Sequence, residues 1–243
     1  MAETMTTSSR IEWTEHTWNP VTGCTNVSPG CKHCYARVMA QRLKAMAMPG
    51  YESGFEVTLQ PNRLSEPVHP RSPTMYFVNS MSDLFHEQVP FDFVERIFDV
   101  IEGTARHRYQ ILTKRPKRML SFLRRRVAPP NVWLGVSIKD KKHGLPCIDL
   151  LREVEAQVRF LSIEPLLEAL GSFDLSGIHW VIVGGDSGRG ALPIQPDWIR
   201  AVRDQCVAER IPFFFKQLGG VGSGRLPRFQ KGQRQAARWT NLE

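Results

Sequence analysis

Tyr109-Gln-Ile-Leu-Thr-Lys-Arg-Pro-Lys-Arg-Met-Leu-Ser-Phe-Leu-Arg-Arg-Arg126, followed after a short gap by Asn131-Val-Trp-Leu-Gly-Val-Ser137, spells out one complete structural unit. The runs Tyr109–Thr113 and Asn131–Ser137 are short, rich in β-branched or aromatic residues and bounded by turn formers, so they read as strands. Pro116 sits where a helix opens, with Thr113 nearby as a cap, and residues 116–126 read as that helix.

Working outward, the same alternation recurs. Further strands are expected at Thr17–Gly23, Met75–Asn79, Arg159–Ile163, Trp180–Gly184 and Pro212–Lys216. Helices are expected at Lys32–Met46, Phe91–Thr104, Lys141–Glu155 and Asp197–Arg210. The runs Trp-Val-Ile-Val at 180–183 and Phe-Phe-Phe at 213–215 are apolar on both faces, as strands of a covered parallel sheet must be. The expectation is an α/β chain forming a partial (β/α)6–7 TIM-like barrel, with a doubly wound open sheet as the alternative. Residues 11–218 form its single domain, Tyr51–Ser72 an insertion beside the first helix, and 219–243 a basic, Gly- and Arg-rich tail. Trp13, Trp18, Trp133, Trp180 and Trp198 fall in or beside predicted elements and read as core anchors.

The 243 residues suit one large domain, and 42% hydrophobic with 23% charged residues is the balance of a globular chain. No apolar run approaches the roughly 18 residues of a membrane span, and the N-terminus lacks the apolar stretch of a signal peptide. A cytoplasmic protein with no membrane partner is expected. The net charge is +8, and nine basic residues with no acid lie between Arg106 and Arg126. Such a localised positive field attracts polyanions, nucleic acid first, although a solvated helix face is the plainer alternative. Lys114 and Arg115, at the start of a helix, are the expected phosphate contacts, with Lys117, Arg118, Arg124, Arg125 and Arg126 continuing the patch.

Five cysteines are present, three of them in Gly23-Cys24-Thr-Asn-Val-Ser-Pro-Gly-Cys31-Lys-His-Cys34-Tyr35. The C-x2-C pair lets two thiolates approach one centre, and Cys24 reaches it across a Pro-Gly turn. Three thiolates on a [4Fe–4S] cube leave one iron open, whereas structural zinc takes four ligands, for which His33 or His16 is available. Spacing alone leaves cluster, zinc and unligated thiols open. A loop after the first strand lies at the carboxyl edge of the sheet, where α/β active sites form. Polar residues recur at that edge: Asn79, Ser80 and Asp83, Lys114 and Arg115, Ser137, Glu164, Asp186 and Ser187, Lys216 and Gln217. Gly184-Gly185 is either a tight turn or a close approach to a ligand, and it lacks the spacing of a dinucleotide fingerprint.

The Ile11–Pro20 opening, the three-cysteine loop, Asn79–His86, Thr113–Pro116, Leu134–Ser137, Leu161–Pro165, Gly184–Gly188 and Phe214–Gln217 together resemble a phage-associated three-cysteine-motif family of unknown function. The wider similarity is to radical S-adenosylmethionine enzymes, nearest in character to the spore photoproduct lyase branch, which repairs DNA lesions. That resemblance implies a [4Fe–4S] cluster on Cys24, Cys31 and Cys34, whose open iron chelates S-adenosylmethionine for reductive cleavage to a 5′-deoxyadenosyl radical. It also implies a reductant such as a flavodoxin or ferredoxin. Cofactor contacts would come from Asn79, Ser80, Asp83, Ser137, Glu164, Gly184 and Gly185. Two departures stand out. The cysteines are spaced C-x6-C-x2-C instead of C-x3-C-x2-C, and Asn79–Asp83 replaces the usual Gly-Gly-Glu stretch, with Asp83 its acidic substitute. Tyr35 is expected to pack over the cluster, with a radical relay as its alternative, and Cys147 is a candidate hydrogen-atom donor.

These readings imply an enzyme acting on nucleic acid, DNA before RNA, by lesion repair or base modification. The competing reading is a binding protein whose zinc or iron–sulfur site only staples the N-terminal loop.

Overall fold

The computed structural model describes residues 9, 11–28, 31–186 and 191–219. Nine strands and five α-helices alternate through these residues. The strands are β1 (His16–Trp18), β2 (Val21–Thr22), β3 (Thr58–Leu59), β4 (Met75–Val78), β5 (Arg108–Thr113), β6 (Val132–Ser137), β7 (Val158–Ile163), β8 (Trp180–Gly184) and β9 (Phe213–Gln217). The helices are α1 (Tyr35–Ala45), α2 (Phe91–Gly103), α3 (Pro116–Leu123), α4 (Pro146–Arg152) and α5 (Pro196–Ala208). The predicted tail beyond Gly219, and Ser187, lie outside the described residues.

Seven strands pair in the order β1-β4-β5-β6-β7-β8-β9, every pair parallel. That order follows the chain and never reverses. Right-handed crossovers all stepping one way keep their helices on one side of the sheet, whereas a doubly wound sheet needs a reversal to fill its second face. The other face must therefore cover itself, and it does so by curling. Trp13, just before β1, packs against Phe160 of β7 and Trp180 of β8, with ring centroids at 6.4 and 6.2 Å. Five strand steps in a flat sheet would put β8 about 24 Å from β1. The fold is an α/β partial TIM-like barrel, open between its edge strands.

Side-chain alternation along each strand builds two cores. Tyr76, Val78, Tyr109, Ile111, Leu134, Val136, Leu161, Ile163, Val181 and Val183 point outward and join Ile97, Phe98, Met119, Phe122, Ile148, Leu151 and Val202 of the helices. Inside, Trp13, Phe77, Trp133, Val158, Phe160, Trp180, Ile182 and Phe214 fill the floor. Gly135 belongs to that floor for a steric reason. A Cβ there would stand 2.5 Å from the Phe160 ring. Four of the five tryptophans read as core anchors, at 13, 18, 133 and 180, are buried; Trp198 packs half-buried against the outer core.

The expected first strand at Thr17–Gly23 is divided. Pro20 carries no amide hydrogen for a ladder and ends β1. The chain then leaves the large sheet and pairs β2 antiparallel with β3, within the predicted insertion. Helix α1 begins at Tyr35 and not Lys32, because Cys34 is extended and serves as its N-cap. No helix among the described residues is long and apolar enough to cross a membrane.

Candidate active site

Inward-facing positions turn polar toward the carboxyl ends of the strands. Above the aromatic floor stand Ser137 of β6, Ser162 of β7 and Lys216 of β9, while Asn79, Lys114, Lys139, Glu164 and Asp186 begin the loops that follow. All of them line one cavity of about 330 Å³ together with Cys24, Cys31, Cys34 and Tyr35. Strand direction explains this convergence: in a parallel sheet every carboxyl end, and every loop that leaves one, is at the same rim.

The cysteine loop is fixed at both ends. Gly23 donates to the Met81 carbonyl at 3.0 Å and Cys24 to the Phe55 carbonyl at 3.2 Å. Gly23 has φ +79°, and a Cβ there would fall 2.0 Å from the Glu56 carbonyl oxygen, so only glycine fits. At the other end Cys31 donates its amide to Ser28 at 2.9 Å and Cys34 caps α1. Burial, followed by the Asp83 charge, raises the Cys24 thiol above the ordinary cysteine value despite Arg115 nearby. Burial acts on Cys31 in the same direction, but backbone hydrogen bonding at Val27 and Ser28 and the charges of Lys114 and Lys139 outweigh it, and that thiol is lowered. Lys139 is itself pulled down to about 8, chiefly by burial and then by Lys114.

These residues fit the cluster that the resemblance implies. The three thiols are free and share one cavity. Among the described residues no three His, Cys, Asp or Glu side chains come together as they would around one metal ion. A cube asks for less convergence, since each thiolate holds a different iron. The two lysines suit its negative charge. Of the possible zinc ligands, His33 lines the cavity, while His16 lies on β1 with its ring 5.9 Å from Tyr76. Asn79 has φ +59° and accepts from the Val21 amide through Oδ1 at 3.2 Å. Its Nδ2 is buried without a hydrogen-bond partner. Asn79 as a residue lines the cavity wall.

Other predicted residues have different places. Asp83 lines the cavity wall, but its carboxylate is fully engaged. Oδ1 accepts from the Phe85 amide at 3.0 Å and Thr113 Oγ1 at 2.7 Å, and Oδ2 from the Lys114 amide at 2.9 Å and Arg115 Nη1 at 3.3 Å. With four donors on it, Asp83 has no capacity left as the acidic substitute. Glu164 retains such capacity: it pairs with Lys216 at 2.9 Å inside the cavity. Gly184 packs under Glu164, where a Cβ would meet Oε1 at 2.5 Å, and Gly185 lines the cavity. Tyr35 lines it as well and donates its hydroxyl to the Ser80 carbonyl. Cys147 does not reach the site. It lies on α4 in the outer layer and donates to the His143 carbonyl at 3.2 Å, with its thiol raised by burial.

The basic run is divided in the same way. Arg115 is buried between Asp83 and Glu87 and offers no fork to a phosphate. Arg118 lies 4.2 Å from the Phe91 ring centroid and donates to the Val89 carbonyl at 2.6 Å. Arg126 is held by Glu95, Asp99 and Glu102 at 2.7–2.8 Å. Lys117, Arg124 and Arg125 remain exposed, Arg124 beside Glu153 at 3.1 Å, while Lys114 turns into the cavity. The acids that neutralise Arg115 and Arg126 come from residues 83–102, so the acid-free run carries no sign of them.

Sequence reasoning passed over Lys139 and Ser162. Lys139 stands in Lys-Asp-Lys-Lys-His, which reads as a solvated charge run, and only its place two residues past β6 hints at the rim. Ser162 is the inward residue of β7 aligned with Ser137.

Two solved structures show the same architecture. Spore photoproduct lyase complexed with dinucleoside spore photoproduct matches with a TM-score of 0.51 at 12% identity, over 84% of this chain and 64% of that one. A cysteine-to-serine mutant of spore photoproduct lyase matches with a TM-score of 0.53 at 10% identity, over 89% and 80%. At these identities the likeness is one of fold, and this chain spans less than two thirds of the first structure's length. Comparison with curated proteins finds no match. By sequence, over residues 8–240, the chain belongs to the family described as "Protein of unknown function (DUF5131)".

Proposed function

We propose that this protein is a radical S-adenosylmethionine-type iron–sulfur enzyme acting on nucleic acid, by repair of a DNA lesion or modification of a base. The observation that carries the reading is the meeting of three cysteines, Asn79, Ser137, Glu164 and Lys216 in one cavity at the carboxyl rim of a partial barrel. The fold shared with spore photoproduct lyase, solved in complex with a dinucleoside spore photoproduct, supports the same class.

In this reading Cys24, Cys31 and Cys34 hold a [4Fe–4S] cluster, which with S-adenosylmethionine supplies one-electron cleavage and hydrogen-atom abstraction. Lys114 and Lys139 offset the negative charge of cluster and thiolates. Asn79, Ser137 and the Glu164–Lys216 pair give polar contacts for the cofactor, and Gly185 contributes to the cavity wall. Tyr35, tied to Ser80, packs beside Cys34. The aromatic floor closes the cavity from below and excludes water from the reacting centre. Lys117, Arg124 and Arg125 lie on α3 and at its carboxyl end, where they attract phosphates without reading sequence. A reduced flavodoxin or ferredoxin supplies the electron, and the thiol chemistry belongs to the reducing cytoplasm.

Anaerobic purification tests the reading. About four irons and four sulfides per chain, lost in Cys31→Ala, with release of 5′-deoxyadenosine on reduction in the presence of S-adenosylmethionine, are expected. One zinc and no sulfide would replace the reading with that of a nucleic-acid-binding protein stapled by its metal.

A further inference from the structure

Arg115 is a heavily coordinated charge beside the cavity. Its side chain is 4% exposed. Nε donates to both oxygens of Glu87, at 3.0 and 2.9 Å, and Nη2 reaches the Thr25 carbonyl at 3.2 Å and Thr25 Oγ1 at 3.1 Å. Nη1 donates to Asp83 Oδ2 at 3.3 Å and, at 3.6 Å, to Cys24 Sγ. The approach is fixed from the other side too. The Arg115 amide donates to Thr113 Oγ1 at 2.9 Å, Thr113 donates to Asp83, and His86 Nε2 is hydrogen-bonded to Thr25 Oγ1 at 2.7 Å. A buried cation therefore touches one cysteine of the loop and both polar groups of the next residue.

A structural ion pair needs only the carboxylates. Asp83 and Glu87 alone account for Nε and half of Nη1, whereas contact with the sulfur requires the planar fork to lie along the cysteine loop. An N–H directed at a thiolate, carried by a buried positive charge, stabilises whichever cluster state is more negative. One-electron reduction adds one negative charge, so it gains more from this contact than the oxidised state does.

We infer that Arg115 is a positioning residue that raises the reduction potential of the centre held by Cys24, Cys31 and Cys34, through its Nη1 hydrogen bond to the Cys24 sulfur. This rests on the iron–sulfur reading above. Lysine at this position would keep the charge for Asp83 but present a single ammonium, which cannot serve Glu87, Thr25 and the sulfur at once.

The test uses the full chain, reconstituted anaerobically with iron and sulfide, as wild type, Arg115→Lys and Arg115→Gln. Iron and sulfide are counted and the potential is read by an electron paramagnetic resonance titration against mediator dyes. The expected result is an unchanged iron count in Arg115→Lys with a potential shifted to more negative values, and a larger shift of the same sign in Arg115→Gln if it folds. An unshifted potential in cluster-loaded Arg115→Lys overturns the inference and leaves the iron–sulfur reading standing. Loss of iron in Arg115→Lys while the wild type loads fully also overturns it, by assigning the residue to holding the loop. A wild type that takes up no iron and sulfide removes the iron–sulfur reading itself, and the inference with it.

Discussion

The floor and the rim of the half-barrel are built from the same strands, yet they obey different rules. On the floor, Trp13, Phe77, Trp133, Phe160 and Trp180 interlock with ring centroids 4.6–6.4 Å apart. A few residues further along, the inward positions are Ser137, Ser162 and Lys216 beside Lys139, Glu164 and Asp186. The floor buries apolar surface at roughly 25 cal/mol per Å² and holds the curled sheet against its own tendency to open. The rim accepts the cost of partly buried charge, and in return presents polar side chains and free thiols to one cavity. Apolar packing and cavity-lining polarity are thus separated along each strand, so substitutions at the two ends should fail in different ways.

The largest expected effect is on the floor. Trp180→Ala should remove about 3–5 kcal/mol, lowering the melting midpoint by roughly 6–20 °C, as differential scanning fluorimetry would read. Gly135→Ala sharpens the point by adding one methyl where Phe160 already sits, for a cost of about 1–3 kcal/mol. At the rim Lys216 and Glu164 are only 28% and 15% exposed, so Glu164→Gln and Lys216→Met are combined to leave no unpaired charge, and together they should lower the melting midpoint less than either floor substitution. The same double variant should weaken S-adenosylmethionine binding tenfold or more, on the scale of about 1.5–3 kcal/mol for a hydrogen bond to a charged group, measured by calorimetry. If the rim pair melts the protein as the floor does, the division between the two ends is wrong.

The basic run gives a smaller contrast of the same kind. Lys117→Ala with Arg125→Ala should leave stability intact and reduce the slope of log affinity for duplex DNA against log salt by about 2. Arg126→Ala should do the opposite, because its guanidinium is committed to Glu95, Asp99 and Glu102. Equal effects from both substitutions would show that outward and inward arginines are not distinguished in solution.

The smallest expected effect is on the pH dependence of stability. His86, His107 and His179 all lie below the usual histidine range, chiefly because burial disfavours the charged ring. His86 Nδ1 accepts from the Gln88 amide at 3.1 Å, which fixes the neutral ring. The unfolded chain binds these protons more readily than the folded one, so their contribution is full above about pH 6.5 and falls as the pH drops below it. Urea melts between pH 7 and 5 should show the decline, and His107→Asn should flatten it.

What the sequence by itself determined was whatever depends on neighbours along the chain. The alternation of strand and helix, the parallel sheet, the cysteine loop before a helix and the recurrence of polar residues at strand ends were all legible, because periodicity, turn chemistry and loop position are local. The ends of elements moved where one residue overruled the pattern, as Pro20 did at β1 and the extended Cys34 at α1. Only the tertiary structure decided which charges face the cavity. Arg115 looked like a phosphate contact until Asp83, Glu87 and Thr25 closed on it. Asp83 looked available until four donors claimed it, and Cys147 was a candidate until α4 carried it to the outer layer. Lys139 carried no signal in the sequence, and only the fold places it at the cavity. A charged side chain is defined by its partners, and these partners lie tens of residues away, brought together only when seven parallel strands close their carboxyl ends around one cavity.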